Sequence, residues 1–97
     1  MKVIGDIRRP LCRIKNKLKK DYYIKEIGIF GSYVRNEQKK GSDVDILVEF
    51  NKPVGLFEFV RLKNYLSEFL GIKVDLVMKK ALKPRIGQRI LKELIHV

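Results

Sequence analysis

Cysteine and histidine each occur once in this chain, as Cys12 and His96, and tryptophan is missing altogether. A lone cysteine cannot close an internal disulfide, so a reducing compartment is expected. No histidine lies near Cys12 in the chain, and His96 stands at the far end without clustered ligands, so both read as ordinary surface or packing residues. Long apolar runs are also missing. Nothing approaches a membrane span or a signal-peptide core, and a cytoplasmic protein without membrane contact is expected. Acidic residues are scarce, 11 against 22 basic ones, which gives a formal net charge of +11. Such a charge attracts polyanions and concentrates nucleotides locally, without identifying the anion.

What is present suits one folded unit. A chain of 97 residues with 45% apolar composition makes a single domain, residues 1–97, large enough for a two-layer core. Ile7, Leu11, Ile14, Leu18 and Tyr22 recur at helical spacing, with Asp6 able to cap the start and Pro10 tolerable in a first turn. Between them stand Arg8, Arg9, Arg13, Lys15, Lys17, Lys19 and Lys20. That face is either simply solvated or docks an acidic partner protein. Direct nucleic-acid contact is possible but not favoured, because no aromatic residues are interleaved with the charges.

Tyr23 to Phe30 reads as a first strand, in which Gly28 marks a close backbone approach or a bulge. A short helix is expected from Ser32 to about Glu37, then a polar loop. Asp43 to Phe50 alternates as a second strand, with Val44, Ile46, Val48 and Phe50 facing the core and Asp43, Asp45, Leu47 and Glu49 facing away. Leu56 to Leu70 traces a helix with a wide apolar arc, ended by Gly71 in a left-handed cap. A third strand covers Ile72 to Met78 and displays Asp75, and Pro84 opens a last helix that Gly87 weakens by about 1 kcal/mol. The expected fold is α/β: a small two-layer domain with a mixed β-sheet and helices packed mainly on one face.

The chemistry gathers between Gly31 and Phe50. Side chains two apart on a strand lie about 6.6 Å from each other on one face, so Asp43 and Asp45 point the same way. Carboxylates that close either split their pKa values or share a cation. Small residues at Gly31-Ser32 leave backbone N–H groups free to cradle a phosphate. Phosphoryl or nucleotidyl transfer uses two metal ions about 3.5–4 Å apart to clamp attacking and leaving oxygens. Asp43 and Asp45 suit two Mg2+ ions, with Asp75 completing one site or taking the proton of the attacking hydroxyl. Lys39, Lys40 or Arg35 would add positive charge.

Gly31-Ser32, then ten residues from Tyr33 to Ser42, then Asp43-Val44-Asp45, with Asp75 in the later segment Lys73-Val74-Asp75-Leu76-Val77, resembles the minimal nucleotidyltransferase (MNT) antitoxin family of HEPN/MNT toxin–antitoxin systems. That family lies within the DNA polymerase β-like nucleotidyltransferase superfamily. The resemblance covers nearly the whole chain. It implies metal-dependent transfer of AMP from ATP to a tyrosine of a HEPN ribonuclease toxin, with the two proteins in a hetero-oligomer. By this resemblance Asp43, Asp45 and Asp75 are the catalytic, metal-binding carboxylates, with Mg2+ or Mn2+, and Gly31, Ser32 and Arg35 contact the nucleotide. Relatives often read Gly-Ser-x-Ala-Arg-Gly-Glu at this turn; here Val34 and Asn36 replace Ala and Gly, which bears on the loop's geometry. The competing readings are an antitoxin that neutralises its partner by binding alone, and a nucleotidyltransferase with a nucleic-acid or small-molecule acceptor.

Overall fold

The computed structural model describes residues 2–97. In chain order these form α1 (Ile4–Tyr22), β1 (Ile24–Phe30), β2 (Val44–Phe50), α2 (Leu56–Leu70), β3 (Val74–Met78), a 3-10 turn (Lys79–Ala81), α3 (Pro84–Glu93) and β4 (Ile95–His96). The strands make one mixed sheet in the order β3-β2-β1-β4. β1 is antiparallel to β2 and β4, whereas β2 and β3 run parallel, as their connection through α2 requires. Among the described residues, no helix is long and apolar enough to cross a membrane.

Alternation in β2 decides which face is core. Val44, Ile46 and Val48 are fully buried with Ile27 and Ile29 of β1 and Val74 of β3, beneath Ile7, Leu11 and Leu18 of α1 and Leu62 and Leu66 of α2. Each such aliphatic side chain contributes about 1.5–3 kcal/mol when removed from water. Val97 joins this cluster, and its N–H bonds the Ile27 carbonyl at 3.0 Å. The fourth strand is too short to leave a periodic signal and was not expected from the sequence.

Several local expectations hold and others shift. Gly71 ends α2 in the left-handed conformation, φ 66°. Gly28 marks a close approach: a Cβ there would lie 2.7 Å from Leu94 Cδ1, while the bulge falls between Ile24 and Glu26. α1 starts earlier than its apolar stripe suggests. Asp6 therefore acts from inside the first turn, accepting the Val3 N–H at 2.9 Å, and Pro10 falls within the helix, unable to donate to the carbonyl one turn back. The segment after Gly31 is a hydrogen-bonded turn, not a helix. Asn36 ends it at φ 57°, a left-handed conformation that asparagine tolerates better than most residues. The apolar arc of α2 is narrower than expected, since Leu56, Val60 and Phe69 are exposed. Finally, α3 does not join α1 and α2. Its Leu94 end sits on Gly28, which pairs with Leu47, so α3 partly covers the face opposite the main core.

Candidate active site

β1 and β2 are joined by residues 31–43, so the end of one strand and the start of the next bring this turn back over the sheet. The register then aligns the acidic residues. Phe30 pairs with Asp45, and Asp45 pairs across the parallel ladder with Asp75. Asp43 lies one residue before the strand, outside the ladder. Cross-strand partners share a face, which places Asp45 between the turn and Asp75.

Gly31 is the contact between turn and carboxylate. It adopts φ 83°, a region that β-carbon-bearing residues rarely occupy. A Cβ on Gly31 would collide with Asp45 Oδ2 and lie 2.9 Å from its Cγ. Glycine is thus required twice, by the backbone and by the neighbouring side chain. The Gly31 carbonyl accepts the N–H groups of Val34 and Arg35 at 3.1 and 3.2 Å. Among the described residues, the N–H groups of Ser32 and Tyr33 have no hydrogen-bond partner. Two adjacent donors are thus left unspent at the start of the turn.

The electrostatics centre on Asp45. Burial first, then the charge of Asp75 and a hydrogen bond with it, then the charge of Asp43, push the Asp45 carboxyl up to about 6, with Arg35 acting in the opposite direction. Tyr33, 3% exposed, is also raised, by burial and then by the charge of Asp43. Among the described residues, no group of three or more histidine, cysteine, aspartate or glutamate side chains stands in metal-holding geometry. The neighbouring Asp75 instead favours the protonated form of Asp45.

This arrangement has a pH signature. Asp45 has a folded pKa near 6 and an unfolded value near 3.9, so between these values the folded state binds the extra proton. The cost of its charge is present in full above about pH 6 and disappears as pH falls toward 4. In metal-free buffer, Asp45→Asn should therefore melt above the wild type at pH 7.5. The difference should close by about pH 4. A difference independent of pH would contradict the shifted titration.

A cleft of about 520 Å³ lies beside Asp45, walled by Phe30, Gly31 and Arg35 on one side and by Ile86, Arg89, Ile90, Lys92 and Glu93 of α3 on the other. Of the residues singled out in the sequence, Gly31, Asp45 and Arg35 line it, Asp75 adjoins Asp45, and Ser32, Asp43, Lys39 and Lys40 do not line it. Arg35 donates to Glu37 at 2.6 Å and to both oxygens of Glu93 at 3.0 and 2.9 Å. Arg89, Lys92 and Glu93 escaped the sequence reading as cleft residues, because a helix whose basic residues alternate with apolar ones looks like any solvated helix.

The sequence pattern of the family described as "Nucleotidyltransferase domain" matches residues 11–97. Protein adenylyltransferase MntA of Thermococcus cleftensis is 44% identical over 97 residues, spanning 100% of this chain and 98% of that protein. A solved candidate minimal nucleotidyltransferase superposes with a TM-score of 0.78 at 32% identity, covering 95% of this chain and 96% of that one. A solved toxin–antitoxin complex with AMP-PNP contains a chain that matches with a TM-score of 0.72 at 26% identity, over 87% of this chain and 69% of that one. A pattern that runs through the Gly31 turn, the β2 aspartates and the C-terminal helix places the chain in the nucleotidyltransferase family, among the MNT antitoxins of the DNA polymerase β-like superfamily.

Proposed function

We propose that this nucleotidyltransferase moves AMP from ATP onto a tyrosine of a HEPN-type toxin and thereby acts as its antitoxin in the cytoplasm. The observation that carries the reading is the position of Asp45, against Gly31 on one side and beside Asp75 and Asp43 on the other. The reading is supported by the name of the Thermococcus relative, protein adenylyltransferase, and by the toxin–antitoxin complex with AMP-PNP.

The donor set fits a hard divalent cation. Three carboxylates supply only oxygen ligands, and the charges of Asp75 and Asp43 both raise the Asp45 pKa, a concentration of negative charge that suits Mg2+ or Mn2+. Asp43, Asp45 and Asp75 would hold it. When bound, the metal would supply charge neutralisation at the phosphates.

The chain's own groups account for the rest. The Ser32 and Tyr33 N–H groups and the Ser32 hydroxyl bind the β- and γ-phosphate oxygens, and the cations Arg89 and Lys92 concentrate the nucleotide at the cleft. The acceptor hydroxyl oxygen attacks the α-phosphorus, and a new P–O bond forms as the bond to the β-phosphate oxygen breaks. Pyrophosphate leaves with the electron pair. The hydroxyl proton passes to Asp75, which is exposed on edge strand β3 and accessible to an incoming protein side chain. Among the described residues no second lobe encloses the base, which leaves the acceptor protein to complete the site.

Asp43→Asn separates catalysis from masking. The variant should still co-purify with its toxin yet fail to suppress the toxin's RNA cleavage in cells. Full suppression by that variant would favour neutralisation by binding alone. A label found on RNA or on a metabolite instead would assign a different acceptor.

A further inference from the structure

The geometry points to Glu93 as the positioning residue of the triphosphate turn. This rests on the proposed role of Gly31-Ser32 in holding the phosphates. Glu93 is the last residue of α3, far in sequence from the turn, yet its Oε1 accepts the Gly31 N–H at 2.8 Å. The same carboxylate takes Arg35 Nη1 on both oxygens, at 3.0 and 2.9 Å, while Arg35 Nε is held by Glu37 at 2.6 Å. The Glu93 side chain is 23% exposed, against 51% for Arg35. The turn is therefore gripped at its first residue and at its fifth by one partly buried side chain.

That grip has a direction. With the Gly31 N–H spent on Glu93, the orientation of the Gly31 peptide is set, and the next two N–H groups, Ser32 and Tyr33, are left without partners and ready for an anion. Asp45 closes the other side of Gly31, so the glycine is fixed between two carboxylates. Arg35, held by Glu93 and Glu37, lines the same cleft as Asp45. Arg35 is thus braced at the edge of the cleft by two carboxylates. Glu93 accepts from the Gly31 N–H and Arg35 and takes neither the Ser32 nor the Tyr33 N–H. The chain enters β4 directly after α3, so the C-terminal segment anchors the catalytic turn.

The test uses the complete chain with its toxin partner and compares Glu93→Ala with Glu93→Gln. Hydrogen bonds to a charged group are strong, so Glu93→Ala should raise KM for ATP by about tenfold to a hundredfold and leave KM for the acceptor protein within about twofold. Glu93→Gln keeps a carbonyl for the Gly31 N–H and should recover most of that loss. An unchanged KM for ATP in Glu93→Ala would overturn the proposal, and so would a lowered one, which would make Glu93 a competitor for the phosphate seat. A purely structural role would lower kcat through the inactive fraction and leave KM alone. Amide resonances of the wild type give a second measurement, free of folding defects in variants. On adding Mg2+ and AMP-PNP, the Ser32 and Tyr33 signals should move while Gly31 stays protected from exchange. Loss of Gly31 protection would overturn the positioning role. If none of the three responds although AMP-PNP binds, the phosphate-turn reading itself fails, and this proposal with it.

Discussion

Asp45→Asn should lower AMP transfer at least on the order of a thousandfold, about 4 kcal/mol of transition-state stabilisation, while the protein remains folded. The direction of each effect follows from the same contacts. Asp45 sits between Asp75 and Gly31 and is the carboxylate whose charge is most opposed by its surroundings. That opposition is a cost to the empty fold and an advantage once a divalent cation and a triphosphate arrive. An amide cannot supply the anionic oxygens, so the charge complementarity disappears while the steric fit remains. Activity measured with purified toxin and ATP, beside circular dichroism and melting curves, separates the two effects. Loss of folding in parallel with activity would mean that Asp45 is a structural residue.

Gly31→Ala should be comparably damaging for a different reason. The added methyl group meets Asp45 Oδ2, and the backbone must hold φ 83°, a conformation costing an L-residue about 1–2 kcal/mol. Neither neighbour yields easily: Asp45 is held in a strand ladder and the Gly31 N–H is tied to Glu93. The turn is expected to rotate away, taking the Ser32 and Tyr33 N–H groups with it. KM for ATP should rise by at least tenfold, with a melting-temperature drop of several degrees, since about 1 kcal/mol shifts a domain of this size by roughly 4–8 °C. Gly41 is the internal control. It also has positive φ, at 87°, but a Cβ there would meet nothing within 4 Å, so Gly41→Ala should lower stability modestly and leave KM nearly unchanged. Equal effects at both glycines would show that backbone strain, and not the contact with Asp45, explains the requirement.

The acidic centre was legible because its signals are local. Alternation in Val44 to Val48 fixes a face, and a face fixes Asp45; the aspartate in Val74–Met78 follows by the same rule. Gly31 was legible because a glycine that closes an apolar strand just ahead of a serine marks a tight turn with free backbone N–H groups. Glu93 was not, because its partners Gly31 and Arg35 are far away in sequence and no periodicity marks a residue at a helix end that bonds across the fold. The position of α3 was hidden for the same reason: its apolar residues fit either sheet face, and contacts such as Leu94 against Gly28 and Glu93 against Gly31 decide between them. The two residues of β4 and the burial of Val97 depend on pairing with β1, which a two-residue strand cannot announce. Pro10 misled because α1 begins three residues ahead of its first buried apolar residue, Ile7.

Transfer of AMP to a protein tyrosine is tested most directly by following the label from ATP. The wild type and its HEPN-type partner are incubated with Mg2+ and ATP labelled at either the α- or the γ-phosphate, and the label is mapped by mass spectrometry. The expected result is α-label on a partner tyrosine, no γ-label, release of pyrophosphate, and loss of all signal in Asp45→Asn. Transfer of the γ-label, or an unlabelled partner that is nonetheless inactivated, would contradict AMP transfer as the activity of this site.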